Sequence, residues 1–114
     1  MTGIIKDILE EYMDGLIKIL KRNLIQVVLY GSYARGEQNQ AGKYSDVDIM
    51  ILVDLDKERI IEAEKEAFDY TFNLGLMYNI IFSPIIENIE TYLSGAMFIP
   101  FYKNVKREGI ILNG

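Results

Sequence analysis

Two aspartates stand at the start of an apolar segment that should form a buried strand. Asp46 and Asp48 are separated by one residue and open the stretch DVDIMILV. Aspartate is depleted in strands, and an ionised carboxylate at the edge of a core costs roughly several kcal/mol unless it is paired or bound to a cation. Residues two apart on a strand point to the same face, so both carboxylates can converge on one or two cations. This spacing predicts a divalent-metal site with oxygen ligands.

A second candidate site lies upstream, where the run LIQVVLY ends in Gly31-Ser32. Glycine lets the backbone turn sharply and leaves no side chain between it and a ligand, while Ser32 supplies a hydroxyl. The turn that follows presents free backbone amides, which suit a phosphate. Arg35 adds a permanent charge able to bind phosphate oxygens, although it could equally form a salt bridge with the aspartates.

Each half of this combination is weak by itself. Gly-Ser turns are common, and a lone Asp-x-Asp is more often a solvated turn or a helix cap. The segment is not a P-loop, because Glu37-Gln38 follows Gly36 where Lys-Ser/Thr would be required. The specificity lies in the order of the parts: strand, Gly31-Ser32-x-Ala34-Arg35-Gly36, polar loop, Ser45-Asp46-x-Asp48, strand.

The composition excludes several other chemistries. The chain has no cysteine and no histidine, which removes disulfides, thiol catalysis, cysteine-histidine zinc sites and the serine-histidine-aspartate triad. Its 17 acidic and 12 basic residues give a net charge of −5, which argues against an extended nucleic-acid surface. No stretch approaches the roughly 20 apolar residues of a membrane span, and the amino terminus lacks the apolar run of a signal peptide. We therefore expect a cytoplasmic protein.

The hydrophobic pattern predicts the elements that position these residues. Helices are expected over Ile4 to Lys21, from an Asp56 N-cap through Leu74 with Gly75 as terminator, over about Asn88 to Leu93, and over about Pro100 to Glu108. Strands are expected over Leu24 to Tyr30, Asp46 to Val53 and Leu76 to Phe82, with a short helical turn after Gly31. Half of the 114 residues are apolar, so residues 1–114 are predicted to form a single domain. The expected fold is α/β (α+β in some schemes), a small mixed β-sheet of three strands or a few more packed with helices.

The ordered motif from Gly31 to Asp48 resembles the nucleotidyltransferase superfamily of DNA polymerase β, in particular its small prokaryotic members, the minimal nucleotidyltransferase (MNT) domains. The wider layout covers nearly the whole chain, including its ending from Pro100 to Gly109. The resemblance implies a nucleotidyltransferase-like fold in which Gly31 and Ser32 bind a nucleoside triphosphate. It implies that Asp46 and Asp48 hold Mg²⁺ or Mn²⁺ while a hydroxyl attacks the α-phosphate and pyrophosphate leaves.

Two features depart from the family pattern. The loop Glu37 to Tyr44 is longer than usual by roughly three residues, which a loop tolerates cheaply. Family members that catalyse the transfer often carry a third carboxylate on the next strand, predicted here as LMYNIIF, where the best candidate is Asn79. An amide binds a hard cation weakly and cannot act as a base. Asn79 is thus a candidate degenerate third position: activity is reduced, another group such as Glu87 substitutes, or the chain mainly binds nucleotide.

Two functions follow from the resemblance. The first is Mg²⁺-dependent transfer of a nucleoside monophosphate, AMP from ATP by preference, to a hydroxyl, such as a partner tyrosine if the chain is the MNT antitoxin of a HEPN/MNT pair. The alternative is a catalytically weak nucleotide-binding or toxin-masking protein, which Asn79 favours. The acceptor surface is expected from a HEPN-type partner or a second copy of the chain. Four aromatic residues near the carboxyl end could form such an interface: Tyr92, Phe98, Phe101 and Tyr102. For each of them, however, packing on the sheet is the better interpretation.

Overall fold

The computed structural model describes residues 3–36 and 46–113 of the chain. The helices are α1 (Gly3–Leu20), α2 (Lys57–Tyr78), α3 (Ile89–Gly95) and α4 (Pro100–Glu108). The strands are β1 (Leu24–Tyr30), β2 (Val47–Val53), β3 (Phe82–Asn88) and β4 (Ile110–Asn113), and a 3₁₀ turn (Lys21–Asn23) joins α1 to β1. The predicted long loop Glu37 to Tyr44, and Ser45 after it, lie outside the described residues.

The four strands form one mixed sheet in the order β3-β2-β1-β4. β1 is antiparallel to both β2 and β4, whereas β2 and β3 run parallel. The residues of β2 from Ile49 to Val53 are fully buried, as expected for a central strand that is covered by helices on both faces. The predicted mixed sheet packed with helices is confirmed, and β4 extends it beyond the three strands that the sequence indicated.

Each face of the sheet has its own core. On one face, α1 and α2 pack on the apolar side chains of β1 and β2 that include Val27, Leu29 and Ile51. On the other face, Val28, Met50 and Leu52 contact Tyr92 of α3 and Val105 of α4. Side chains alternate along a strand, so Asp48 lies on the α3/α4 face with Met50. No helix within residues 3–36 and 46–113 is long and apolar enough to cross a membrane.

The helices were predicted well at their beginnings. The Asp56 carboxylate accepts a hydrogen bond from the Arg59 backbone N–H at 2.9 Å, which confirms the predicted N-cap of α2. The helices predicted over about Asn88 to Leu93 and Pro100 to Glu108 correspond to α3 and α4. Pro100 opens α4 as its first residue, where its missing N–H has no intrahelical partner to lose.

The predicted strand over Leu76 to Phe82 is wrong. Helix α2 continues through Gly75 to Tyr78 and ends at Asn79, which has left-handed backbone angles (φ 55°, ψ 47°) and donates its backbone N–H to the Gly75 carbonyl. Gly75 does not terminate the helix; it leaves room for the returning chain, because a Cβ there would meet the Ile80 carbonyl oxygen at 2.5 Å. The third strand is β3, which runs through Pro84 and lies at a sheet edge, where proline is tolerated.

Candidate active site

The turn after β1 is built on Gly31. Its φ of 75° lies in the left-handed region that favours glycine. The Arg35 backbone N–H donates to the Gly31 carbonyl at 3.1 Å, so one helical turn follows the strand, with Ser32 half-buried in it. A Cβ added to Gly31 would overlap the Asp48 carboxylate. Backbone conformation and the closeness of Asp48 therefore both require glycine at this position.

Asp46 and Asp48 flank the first residue of β2. Asp46 is exposed, whereas Asp48 is half-buried and faces Tyr30 of β1 in antiparallel register. On the other side of β2, Ser83 of β3 is the parallel partner of Asp48. The Ser83 hydroxyl donates to Asp46 Oδ2 at 3.0 Å. Both aspartates, the Gly31 turn and the Ser83 hydroxyl thus meet at one corner of the sheet.

The surroundings of Asp48 disfavour its ionised form. Burial raises the pKa of Asp48 above its ordinary value, the neighbouring Asp46 carboxylate raises it further, and Arg35 lowers it. Burial, together with the Asp48 charge, raises the pKa of Tyr30 to about 12, so the tyrosine stays protonated beside the carboxylate. Two close carboxylates, one of them partly desolvated, are stabilised when a cation binds between them.

Arg35 links the turn to the end of α4. Its Nη1 lies 3.4 Å from Glu108 Oε2, and the two side chains are 42% and 34% exposed. An exposed pair of this kind contributes about 0–1 kcal/mol. The guanidinium charge also lowers the pKa of Asp48, so Arg35 lies within electrostatic reach of the carboxylate at this corner.

Comparison with known proteins identifies the family to which this site belongs. The family model of the nucleotidyltransferase domain matches residues 13–106. This chain belongs to that family. In Methanocaldococcus jannaschii, "Putative protein adenylyltransferase MJ0604" is 29% identical over 104 residues, which cover 91% of this chain and 93% of that protein. "Putative protein adenylyltransferase MJ0141" from the same organism is 40% identical over 81 residues, 70% of this chain and 76% of that protein.

A solved structure shows the same fold. "Crystal structure of the toxin-antitoxin with AMP-PNP" matches with a TM-score of 0.53 at 20% sequence identity and covers 92% of this chain and 73% of that chain. The family match and this structural match together confirm the nucleotidyltransferase-like fold that the motif predicted.

The side chain that faces the aspartates from the third strand of this nucleotidyltransferase domain is Ser83. Asn79 does not have that position, because it is the exposed C-cap of α2 and precedes Ser83 by four residues. The placement of Asn79 on the strand was therefore wrong. The sequence analysis missed Ser83 because Ser83-Pro84 was interpreted as the end of a strand. No local sequence signal identifies Ser83, because its place opposite Asp48 is set by the parallel pairing of β2 and β3.

Glu87 is also too far away to replace a third carboxylate. It lies four residues beyond Ser83 on β3, which is about 13 Å along a strand. Its Oε1 accepts the Tyr102 hydroxyl at 2.5 Å, and its Oε2 accepts the Asn88 backbone N–H at 2.9 Å. Glu87 instead anchors α4 to the far end of the sheet.

The carboxyl-terminal aromatics divide into packed and exposed groups. Tyr92 is buried and Tyr102 is half-buried, so for these two the packing interpretation is correct. Phe98 is 81% exposed and Phe101 is 42% exposed. The Phe101 ring meets Tyr30 edge to face with centroids 5.6 Å apart, which places an accessible aromatic side chain beside the strand that carries the Gly31 turn.

The donor groups at this corner fit a hard divalent cation. They are two carboxylates and a hydroxyl, all oxygen, which is the ligand type of Mg²⁺ and Mn²⁺. Within the described ranges, no group of three or more His, Cys, Asp or Glu side chains could hold a metal ion. A cation held here by Asp46 and Asp48 would need further oxygen ligands, which phosphates and water supply at nucleotide sites.

Proposed function

We propose that this nucleotidyltransferase domain transfers a nucleoside monophosphate, AMP from ATP by preference, to a hydroxyl in an Mg²⁺-dependent reaction, with Mn²⁺ as an alternative metal. The observation that carries the proposal is the contact between the Gly31 turn and the Asp48 carboxylate. A phosphate held by that turn lies next to both aspartates.

Each residue of the corner has a defined role in this proposal. Gly31 lets the backbone approach the triphosphate, and Ser32 and Arg35 bind its oxygens. Asp46 and Asp48 hold the metal ion, which when bound offsets charge on the α-phosphate. The acceptor oxygen forms a bond to the α-phosphorus and loses its proton to solvent, while the bond from the α-phosphorus to the bridging oxygen breaks and pyrophosphate leaves with that oxygen. The chain contributes mainly position and charge, which account for most of the catalysis in phosphoryl chemistry.

The proposed acceptor is a hydroxyl of a partner protein, such as a tyrosine on a HEPN-type toxin. Two comparisons support a protein acceptor: the relatives carry the name of protein adenylyltransferases, and the structural neighbour is a toxin-antitoxin with AMP-PNP. A second copy of the chain is the other candidate partner. In the toxin-antitoxin case, the chain would act as the antitoxin and modify its partner.

A second candidate function is nucleotide binding or toxin masking with weak catalysis. The observation that favours it is the neutral Ser83 opposite Asp48, where a third carboxylate would otherwise complete the metal site. The fold would then present a nucleotide-dependent surface to a partner without efficient transfer.

Transfer of label from α-³²P-ATP tests the proposal. The protein is incubated with Mg²⁺ and labelled ATP, alone and with the product of an adjacent gene, and label on protein is measured. We expect label on a hydroxyl of the partner, and we expect Asp46→Asn and Asp48→Asn each to reduce it by roughly 100-fold or more, because each removes charge stabilisation at the reacting phosphate.

The matched control is Asp54→Asn. Asp54 follows the opposite end of β2 and is exposed, so its loss should leave transfer unchanged. Transfer by Asp46→Asn and Asp48→Asn at the level of this control would refute the proposed site. Binding of AMP-PNP without label on any partner would favour the masking function instead.

A further inference from the structure

The Ser83 hydroxyl forms a hydrogen bond with the Asp46 carboxylate. It donates to Oδ2 at 3.0 Å from the adjacent strand, and the β2–β3 pairing fixes the distance between them. The Val47 backbone N–H donates to the Ile81 carbonyl at 2.8 Å, so the two strands are held together at the level of the aspartates. Asp46 itself is exposed and lies just before β2, where the strand alone does not fix its side chain.

A serine at this position orients a carboxylate without adding charge. Its one proton is given to Asp46 Oδ2, which leaves the other oxygen of Asp46 and both oxygens of Asp48 for a cation. Asp46 and Asp48 bring two carboxylates to this corner, one fewer than a site in which a third carboxylate stands at position 83.

The number of carboxylates sets how firmly a site holds a divalent cation by itself, and Mg²⁺ held by one or two carboxylates typically takes its remaining ligands from substrate phosphates. We propose that Ser83 is a positioning residue that holds Asp46 in place for the metal ion. Because it does so without a third charge, the site takes a divalent cation together with a triphosphate and not alone. This inference rests on the proposed function of the Asp46/Asp48 site.

Binding of Mn²⁺ tests the inference without any measurement of catalysis. Free Mn²⁺ is followed by electron paramagnetic resonance while it is titrated into the protein with and without AMP-PNP, and the Mn²⁺ that AMP-PNP binds in a titration without protein is subtracted. The wild-type protein is expected to take up Mn²⁺ only when AMP-PNP is present. Ser83→Asp is expected to bind Mn²⁺ without nucleotide, at least about tenfold more tightly than the wild type, because it adds a third carboxylate.

Ser83→Ala and Ser83→Thr test the positioning role. Loss of a group that orients a metal ligand typically reduces metal affinity about 10- to 100-fold, so Ser83→Ala should weaken Mn²⁺ binding in the presence of AMP-PNP by roughly tenfold. Ser83→Thr keeps the hydroxyl and should restore it. The controls are Ser94→Ala and Ser94→Asp, on an exposed position of α3, and thermal unfolding of every variant shows that it is folded.

The outcomes separate this inference from the proposed function. Equal Mn²⁺ binding by Ser83→Ala and the wild type, or tight Mn²⁺ binding by the wild type without nucleotide, would overturn the role of Ser83. If Asp46→Asn and Asp48→Asn also bind Mn²⁺ and AMP-PNP like the wild type, the proposed site itself is wrong. If those two variants lose binding and Ser83→Ala does not, only the inference fails.

Discussion

At the scale of single residues, glycine is required at position 31 both by the backbone conformation and by the closeness of a carboxylate of the site. Its φ is 75°, and its missing side chain leaves room for the Asp48 carboxylate. Gly36, five residues later, has a similar φ of 72°, but no atom of the described residues lies within 4 Å of the place that a Cβ would take there. The pair therefore allows the cost of the backbone conformation to be separated from the cost of the close approach.

We expect Gly31→Ala to lose AMP-PNP binding in the presence of Mg²⁺, because the added methyl group displaces the Asp48 carboxylate. Gly36→Ala should lose only stability, about 1–2 kcal/mol, since alanine is disfavoured at positive φ. Isothermal titration with AMP-PNP and urea unfolding measure the two effects. Equal losses of affinity in both variants would show that closeness to Asp48 is not what matters.

The charge on Asp48 links stability to pH. The pKa of Asp48 is raised in the folded chain, first by burial and then by Asp46, so ionisation of Asp48 costs more in the folded state than in the unfolded state. The free energy of unfolding without metal should therefore fall as the pH rises from the ordinary carboxyl range through the raised pKa, and stay level above it. The stabilisation that protonated Asp48 contributes is fully present only below the pKa that Asp48 has in the unfolded chain.

Asp48→Asn removes this ionisation, and we expect it to melt at a higher temperature than the wild type at pH 7 in the absence of metal. The difference should shrink as the pH is lowered toward the range in which Asp48 is protonated in both states. Thermal unfolding followed by circular dichroism from pH 4 to pH 8 gives the two profiles. Parallel profiles, with a constant difference at every pH, would contradict the assignment of the effect to Asp48.

Among the elements, the third strand shows where sequence patterns fail. The run LMYNIIF contains the apolar residues of a strand, but short apolar runs do not distinguish a strand from a helix end, and here Leu76 and Met77 are exposed on the last turn of α2. Gly75 resembled a terminator because glycine ends many helices, yet the structure uses it for close packing against Ile80. The choice between these interpretations depends on contacts between α2 and β3, which a local pattern does not contain.

The first two strands could be predicted because their signals are local. A β-branched apolar run ending in glycine predicts β1 and the turn after it, and a second apolar run opened by two aspartates predicts β2. Ser83 could not be identified in the same way, because its role comes from the register of a parallel neighbour that is far away in sequence. β4 has four residues, and it is recognisable only by its pairing with β1.

Asn79 is expected to affect helix stability and not catalysis. It occupies the left-handed cap of α2, where glycine and asparagine are favoured. Asn79→Ala should lose about 1 kcal/mol of stability, Asn79→Gly should be close to neutral, and Asn79→Asp should not increase label transfer. Asn73→Ala, at an exposed position within the same helix, is the control and should not destabilise the protein. An increase of transfer in Asn79→Asp would place this residue at the site after all.

Across the whole molecule, the Asp48 side chain and the larger core lie on opposite faces of the sheet, while Tyr33 and Ala34 of the turn after Gly31 pack against that core. Asp48 shares the α3/α4 face with Met50, whereas Tyr12 of α1 packs on the other face among the side chains of α2 and β1. Stability and ligand binding should therefore respond separately to substitutions on the two faces. The buried contact between α1 and α2 offers a test of that separation.

Tyr12 and Thr71 form a buried chain of hydrogen bonds. The Thr71 hydroxyl donates its one proton to the Ala67 carbonyl at 2.7 Å, so Tyr12, whose pKa is raised by burial, must be the donor in its 2.9 Å bond to Thr71. Tyr12→Phe should lose about 1 kcal/mol, the net value of one satisfied bond. Thr71→Val should lose more, about 1–3 kcal/mol, because it leaves the Tyr12 hydroxyl buried without an acceptor.

The double variant should lose less stability than the sum of the two single losses. With phenylalanine at position 12 there is no hydroxyl donor for valine at position 71 to leave without an acceptor. Urea unfolding of the four proteins gives the coupling energy, and additivity within about 0.3–0.5 kcal/mol would contradict the direct contact. Tyr70→Phe, which removes a hydrogen bond to the Glu11 carbonyl at the surface, provides a reference for a less buried hydroxyl. Because all these side chains lie away from the Asp48 face, AMP-PNP affinity should stay at the wild-type level in every variant that remains folded.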